Sequence, residues 1–515
     1  MRAVQPPQMT IGEVDISKLT FNLQSRDDIP RILKGLLHIY MNKELLGAIF
    51  VLLMSKFLPT VSKTNGRPGM TLWTIFVCGI IRLDLNIDYD RLLELMNEHH
   101  SLRAILGHNT YYDALYHLQT IKDNVSLFTT ELLDEINELI VKSGHELILH
   151  EQHGEKGDDL ILHARCDSFV VETNVHYPTD INLLYDATRK IIQLTAKLCK
   201  LLGLSDLRQH ANIVNQVKAA MRKAQLKMRS KAKNIEQQEK NNAAIIAAHQ
   251  EYIDCAKIYV DKVRQILLDV EKIDKTDIMI QDRYDARKAE IEKFIVHAER
   301  QIDQIRRRVI LGEKIPHEEK VFSLFEPHTE WISKGKAGVP VEFGLKVCIM
   351  EDQYGFLLRK KVMQGQTDDK VTVEMVTETK KSFPNLVSCS FDKGFHTKEN
   401  QVELTKHLEL VVLPRKGKLS EIAKAIETAP EFVKARKAHS AVESAINALE
   451  VHGLDICPDH AIDAFERYVS WAMVARNIHR IGDILWNQEK DAQQGKDKHW
   501  SAKNDEKYKP DKIAA

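Results

Sequence analysis

Three acidic residues stand where the chain could do chemistry on a phosphate ester. Asp167 lies in the run LILHARCDSFVVETN, from Leu160 to Asn174. There Leu160, Leu162, Ala164 and Cys166 alternate with His163, Arg165 and Asp167, the period of a half-buried strand. Asp167 therefore points away from the apolar set. Asp392 follows the short apolar run Leu386 to Phe391, and Gly394 permits a tight turn that exposes it at the strand's C-terminal end. Ligand sites of open α/β sheets gather at such ends. Glu443 lies on HSAVESAINALE, where Val442, Ala445, Ile446 and Leu449 form the buried stripe. Arg436, Ser440, Glu443 and Asn447 share another face, which leaves Glu443 free to lean over a sheet.

Brought together, three carboxylates are hard anionic ligands for Mg²⁺ or Mn²⁺. Two such ions about 3.5–4 Å apart stabilise both the attacking and the leaving oxygen of an in-line phosphodiester displacement. Spacing alone does not single this triple out, because a chain with 73 acids offers many others. An edge or capping aspartate would also look like Asp167.

The elements that must position these acids are spread along 515 residues, enough for two to four domains. With 43% hydrophobic and 28% charged residues the chain reads as globular, and its Lys+Arg and Asp+Glu both number 73. Any surface for an anionic partner must come from local clustering. Seven scattered cysteines without C-x-x-C spacing argue against a zinc ribbon or a disulfide frame and for a reducing compartment. The N-terminal segment lacks the apolar core of a signal peptide, and the run Leu45 to Leu53 is too short to span a bilayer. The expected location is cytoplasmic, with no membrane partner.

In order, residues 29–107 read as helical, with a breaker at Gly66-Arg67-Pro68-Gly69. Leu72 to Leu83 and Tyr89 to Met96 fit a helix-turn-helix, or any other helical hairpin. A further helix runs to about Gly144, and HELILHEQHGEKGD leads into the first strand. His145, His150, His153 and His163 fit no helical ligand pair and are expected as solvated loop residues. From Leu183 to Leu311 the pattern predicts long helices packed as an antiparallel hairpin. No acid occurs between Asp206 and Glu236; Lys218, Arg222, Arg229 and Lys233 fall on one helical face, with Lys223, Lys227 and Lys231 beside it. Such a stripe suits phosphate contact, or is a solvated face. Strand patterns return at Val321, with Val341, Phe343, Leu345, Val347 and Ile349 on one face, then a hairpin turn at Glu351 to Gly355. A helix from Asp368 to Glu378, strands at Leu386 to Phe391 and Leu408 to Leu413, and helix from Ser420 to about Trp486 complete the pattern. Without the helical interruption this is a mixed layer of about five strands.

The motifs RCDSFVVETNVHYPTD, EPHTEWISKGKAGVPVEFGLKV, SFDKGF and HSAVESAINALEVHGLDICPD, in that order and followed by RYVSWAMVARNIHRIG, resemble those of DDE-type insertion-sequence transposases. GRPGMTLW and the helices through LRAILGH resemble the N-terminal section of the same family. The resemblance implies an α/β fold: an RNase H-like mixed-sheet catalytic core interrupted by a long helical insertion, with an all-helical N-terminal domain. The expected division is 1–145 a helical domain that could bind DNA ends, 146–185 first part of the core, 186–312 insertion, 313–486 remainder of the core, and 487–515 a disordered polar tail. It also implies Asp167, Asp392 and Glu443 as the metal-binding catalytic triad, two Mg²⁺ or Mn²⁺ ions, and cleavage and transfer of DNA strands. A homo-oligomer on paired element ends and target DNA, nucleoid-associated when bound, would follow. Where relatives often carry a Tyr, an Arg and a Lys around the glutamate, this chain has Arg436, His439 and Glu450. Arg436 and His439 are held as possible contacts to the scissile strand; Lys334, Lys336 and Lys393 adjoin the matching motifs and could touch DNA. A catalytically inactive DNA-binding relative, or a helical scaffold, are the competing classes.

Overall fold

The structure, a computed structural model, describes residues 14–57, 69–108, 115–153, 160–229, 234–272, 278–333 and 341–493. Lys233, Lys334, Lys336, most of the Gly66 to Gly69 breaker and the tail beyond Gln493 lie outside the described residues. The chain divides into two compact units, Met1–Asn174 with Glu330–Ala515, and Val175–Thr329. Each is described by itself.

The first unit opens with helices α1 (Ile29–Met41), α2 (Lys43–Phe57), α3 (Leu72–Asp84), α4 (Tyr89–Glu98), α5 (His100–Ile105), α6 (Leu118–Val125) and α7 (Thr130–His153). Their starts are written in the sequence. Thr71 Oγ1 accepts from the Thr74 amide at 3.1 Å, and Asp88 Oδ1 from the Arg91 amide at 2.7 Å, satisfying N–H groups that a first turn leaves unpaired. The helices up to α7 share one hydrophobic core with the sheet that follows.

At the centre of that sheet is β1 (Leu162–Thr173). One edge runs antiparallel to β3 (Val341–Asp352), with Asp167 opposite Ile349. The far edge of β3 carries β2 (Glu330–Ser333) and β4 (Leu357–Met363), both antiparallel. The other edge of β1 runs parallel to β5 (Leu386–Phe391), and β5 parallel to β6 (Leu410–Val412). β7 (Ile456–Cys457) continues alongside Glu172 and Thr173. Connection length dictates these directions. The β3–β4 turn is short, and Asp352 Oδ1 closes it by accepting from the Tyr354 and Phe356 amides at 2.8 and 2.9 Å. The parallel pairs need crossovers, supplied by α12 (Asp368–Ser382) and α13 (Lys398–Leu404).

After β6 come α14 (Glu421–Thr428), α15 (Pro430–His439), α16 (Ala441–Leu449) and, beyond β7, α17 (Ile462–Gln493). Trp471 of α17 is buried against Phe128, ring centroids 4.4 Å apart, and against Phe76. α17 also crosses α1 at backbone contact. A Cβ on Gly35 would lie 2.2 Å from the Ile478 carbonyl oxygen, and one on Gly482 2.1 Å from that of Arg31. Arg31 also donates to Asp483 at 3.0 Å.

The second unit is built from α8 (Asp180–Leu201), α9 (His210–Met228), α10 (Ile235–Glu271) and α11 (Ile278–Ile305). Leu184, Ile191, Tyr252, Val263, Ile291 and Ala298 are in its core, and the Tyr252 hydroxyl donates to the Ile181 carbonyl at 3.0 Å.

The mixed α/β class, the β3–β4 hairpin and the residues of β5 are as the pattern predicts. Other expectations need correction. The insertion is a four-helix unit rather than a single hairpin, because α8 and α11 also pack face to face. Residues 321–329 are not strand; pairing begins at Glu330, where β3 offers a partner edge. α17 reaches Gln493, so 487–493 are helical rather than part of a disordered tail. α7 continues to His153, and His145 is buried on it, 2.6 Å from Asp352 Oδ2, not solvated in a loop. A polar-looking segment was carried inside by a partner distant in sequence. His163 is half-buried on β1, its Nδ1 2.7 Å from Ser388 Oγ. Among the described residues no single helix is long and apolar enough to cross a membrane.

Replacing Gly482 by Ala forces a methyl into a backbone carbonyl that cannot retreat without moving α1. Urea unfolding should show a loss of about 2–4 kcal/mol, whereas Gly47→Ala, with open space at its Cβ, should leave the midpoint unchanged or raised.

Candidate active site

Register places the first two acids. Cys166 pairs with Phe391 across the parallel β1–β5 ladder, so Asp392, one residue past β5, comes up beside Asp167. Alternation does the rest. His163, Arg165 and Asp167 on β1 share a face with Ser388, Ser390 and Asp392 on and just after β5. These six residues form a polar stripe along the paired strands. Phe395, buried and 5.6 Å from the Phe391 ring, pins the turn after Asp392, leaving Asp392 and Lys393 exposed.

The third acid comes from α16. Val442, Ala445 and Leu449 pack inward, so Glu443 is on the exposed side, as its helical position predicts. His439, ending α15, is half-buried with Nδ1 3.0 Å from Ser390 Oγ. Burial lowers its pKa, against the upward pull of Asp392 and Glu443. His439 thus sits among the site's acids. Arg436 is exposed and pairs with Glu427 at 3.8 Å.

Electrostatics ties the acids together. The Asp167 carboxyl is pushed up to about 6, first by burial and then by the charges of Asp392, Asp368 and Glu443; the Ser168 amide, donating to it at 2.8 Å, works the other way. Among the described residues none of Asp167, Asp392 and Glu443 has an ion pair to a lysine or arginine. Arg165, on the same face as Asp167, is committed to Glu351 at 3.1 Å and to the Asp352 carbonyl at 3.2 Å.

Asp368, at the start of α12, escapes sequence reasoning because an Asp-Asp pair there reads as ordinary helix-end chemistry. It accepts from Ser168 Oγ at 2.6 Å and pairs with Lys346 at 3.1 Å, so its charge is already compensated. Ser390 was also missed. The signal available was the spacing Ser388, Ser390, Asp392, which repeats the alternation of His163, Arg165, Asp167.

Among the described residues no group of three or more His, Cys, Asp or Glu stands close enough to hold a metal ion as arranged. The donors nonetheless suit a hard divalent cation in kind: carboxylate oxygens of like charge, uncompensated by cationic side chains.

The basic residues of α9 belong to the second unit. Lys218 is half-buried and Arg222 exposed on α9, with Lys223 paired to Glu251 at 2.5 Å. Asn215, Lys218, Arg222, Lys223, Leu226 and Lys227 line one shallow open groove. α9 ends at Met228, and Arg229, its C-cap in helical conformation, is exposed at the helix end.

Because the folded state raises the Asp167 pKa, it holds a proton that the unfolded chain releases between about pH 4 and 6, and stability falls as pH rises through that window. Asp167→Asn removes the buried charge. It should stabilise the protein by about 1–3 kcal/mol at pH 7.5, with the gain reduced by roughly half at pH 5, read by urea unfolding at both pH values.

Comparison with protein-family models, with curated proteins and with solved structures found no match to this chain.

Proposed function

We propose that this chain is a DDE-type DNA transposase that cleaves and transfers strands at the ends of an insertion sequence. The observation that carries the reading is the convergence on Asp167: Asp392 alongside it through the β1–β5 register, and Glu443 close enough to raise its pKa. The strand order β4-β3-β1-β5-β6, antiparallel on one side of β1 and parallel on the other, supports an RNase H-like core. The helical unit Val175–Thr329 enters between β1 and β2.

In this reading Asp167, Asp392 and Glu443 hold Mg²⁺ or Mn²⁺, two ions being the expected complement. Bound there, the cations would supply Lewis acidity for activating a water or a 3′-hydroxyl and would offset charge on the phosphate. The chain's own work is to gather the acids; burial and the neighbouring carboxylates raise the Asp167 pKa to about 6, so ionisation of this ligand is pH-dependent near that value. Lys393, exposed beside Asp392, is placed to meet a phosphate, and the groove on α9 offers a sequence-independent track for a DNA backbone. Assembly as a homo-oligomer on DNA ends belongs to the same proposal.

A second reading, a DNA-binding relative without catalysis, is favoured by one observation: the carboxylates are not arranged to hold a metal as they stand. The same assay separates the two. Asp167→Asn, Asp392→Asn and Glu443→Gln should each reduce Mg²⁺-dependent cleavage of element-end DNA at least about 100-fold while leaving DNA binding intact. Normal cleavage by Glu443→Gln would overturn the triad. No cleavage by the wild-type chain, with binding retained, would favour the inactive relative.

Charge reversal of Lys218, Arg222 and Arg229 should weaken DNA binding and flatten the dependence of log affinity on log salt by about 2–3 in slope. An unchanged slope would return α9 to a merely solvated face.

A further inference from the structure

The helix that carries Glu443 is only nine residues long. A helix of that length is marginal by itself, and the inward side chains Val442, Ala445 and Leu449 are compact. Val442 and Leu449 anchor it in the main core, and what holds its ends fixes its orientation further. At the front, His439 is tied to Ser390 of β5. At the back, α16 does not run on into α17. The chain widens into a π-type turn, Glu450–Leu454, where Gly453 takes φ +102°.

The bend between α3 and α4 closes on this turn. Asn86, itself left-handed at φ +48°, donates Nδ2 to the Val451 carbonyl at 3.2 Å. His452 Nδ1 donates to the Asp84 carbonyl. The Tyr468 hydroxyl donates to the Gly453 carbonyl at 3.2 Å. A Cβ on Gly453 would lie 2.8 Å from that hydroxyl and 3.1 Å from Asn86 Oδ1, so the turn and the bend fit without spare room. Asp84 is buried and held by His479 Nδ1 at 2.8 Å, which fixes the bend to α17. Just past the turn, the Glu172 amide donates to the Asp455 carbonyl at 3.0 Å, tying the same segment to β1.

We propose that the α3–α4 bend, through Asn86 and the Asp84 carbonyl, is the positioning element for Glu443, fixing α16 relative to the two strand-borne carboxylates. This rests on the reading of Glu443 as the third acid. Asn86 and His452 touch no reacting atom in this account; they act through the helix. Misplacing a reacting group by about 1 Å can cost on the order of 100-fold in rate, so a tie of this kind would be felt in function before it is felt in folding.

The test uses the full chain and two variants that respect the left-handed backbone. Asn86→Gly removes the donor without strain; Asn86→Asp keeps the shape but turns an acceptor toward the Val451 carbonyl. Hydrogen–deuterium exchange should accelerate at least about tenfold in 441–449 in both variants, with β1 and β5 unchanged. Mn²⁺ binding, followed by water proton relaxation, should weaken several-fold in Asn86→Gly. In the Glu443→Gln background the same substitution should weaken it no further, since the carboxylate it positions is gone. Unchanged exchange in 441–449 overturns the clamp, and unchanged Mn²⁺ affinity in Asn86→Gly overturns its role in positioning; in both cases the triad stands if Glu443→Gln still weakens binding. A wild-type chain that binds no Mn²⁺, or Glu443→Gln binding as tightly as wild type, overturns the assignment of Glu443 and the positioning role with it.

Discussion

The parallel pairing of β1 with β5 is the constraint on which the site depends. It sets Cys166 level with Phe391 and so delivers Asp392 to the side of Asp167. A slip of one residue would turn Asp392 to the opposite face, because side chains alternate. Holding two carboxylates side by side, with a third within electrostatic reach, is unfavourable in the absence of a cation. The fold bears that cost through the buried apolar side chains of β1 and β3, among them Cys166, Val171, Leu345 and Val347. Burial first, and then the neighbouring carboxylates, push the Asp167 pKa up.

Much of this was legible in the sequence, for identifiable reasons. β5 and the β3–β4 hairpin were readable because apolar runs bounded by Asp, Gly and Pro leave little choice. The face of Glu443 followed from helical period alone. The three acids could be named, but their meeting could not be derived from spacing. It depends on a register between segments more than 200 residues apart, about which local pattern is silent.

The misses have physical causes too. His145 lies in a stretch whose polarity suggested a loop, yet Asp352, far along the chain, accepts it in the interior. β7 is two residues long and exists only because the end of β1 offers an unpaired edge. Asp368 was hidden by its position at a helix start, where acids are commonplace. In each case a tertiary partner overrode the local signal, and the partner was not foreseeable from neighbours in sequence.

The backbone-to-backbone crossing of α1 and α17 bears on how the molecule can be dissected. The first seven helices are not an appendage that a truncation could remove to leave a working core. A fragment beginning near residue 146 would uncover Trp471 and the Gly482 seam of α17 together, stripping cover from the helix against which β4 is also packed. Whatever those helices touch is therefore carried in the same body as the carboxylates. A ligand engaging the described helices would press on the same packed core as the sheet.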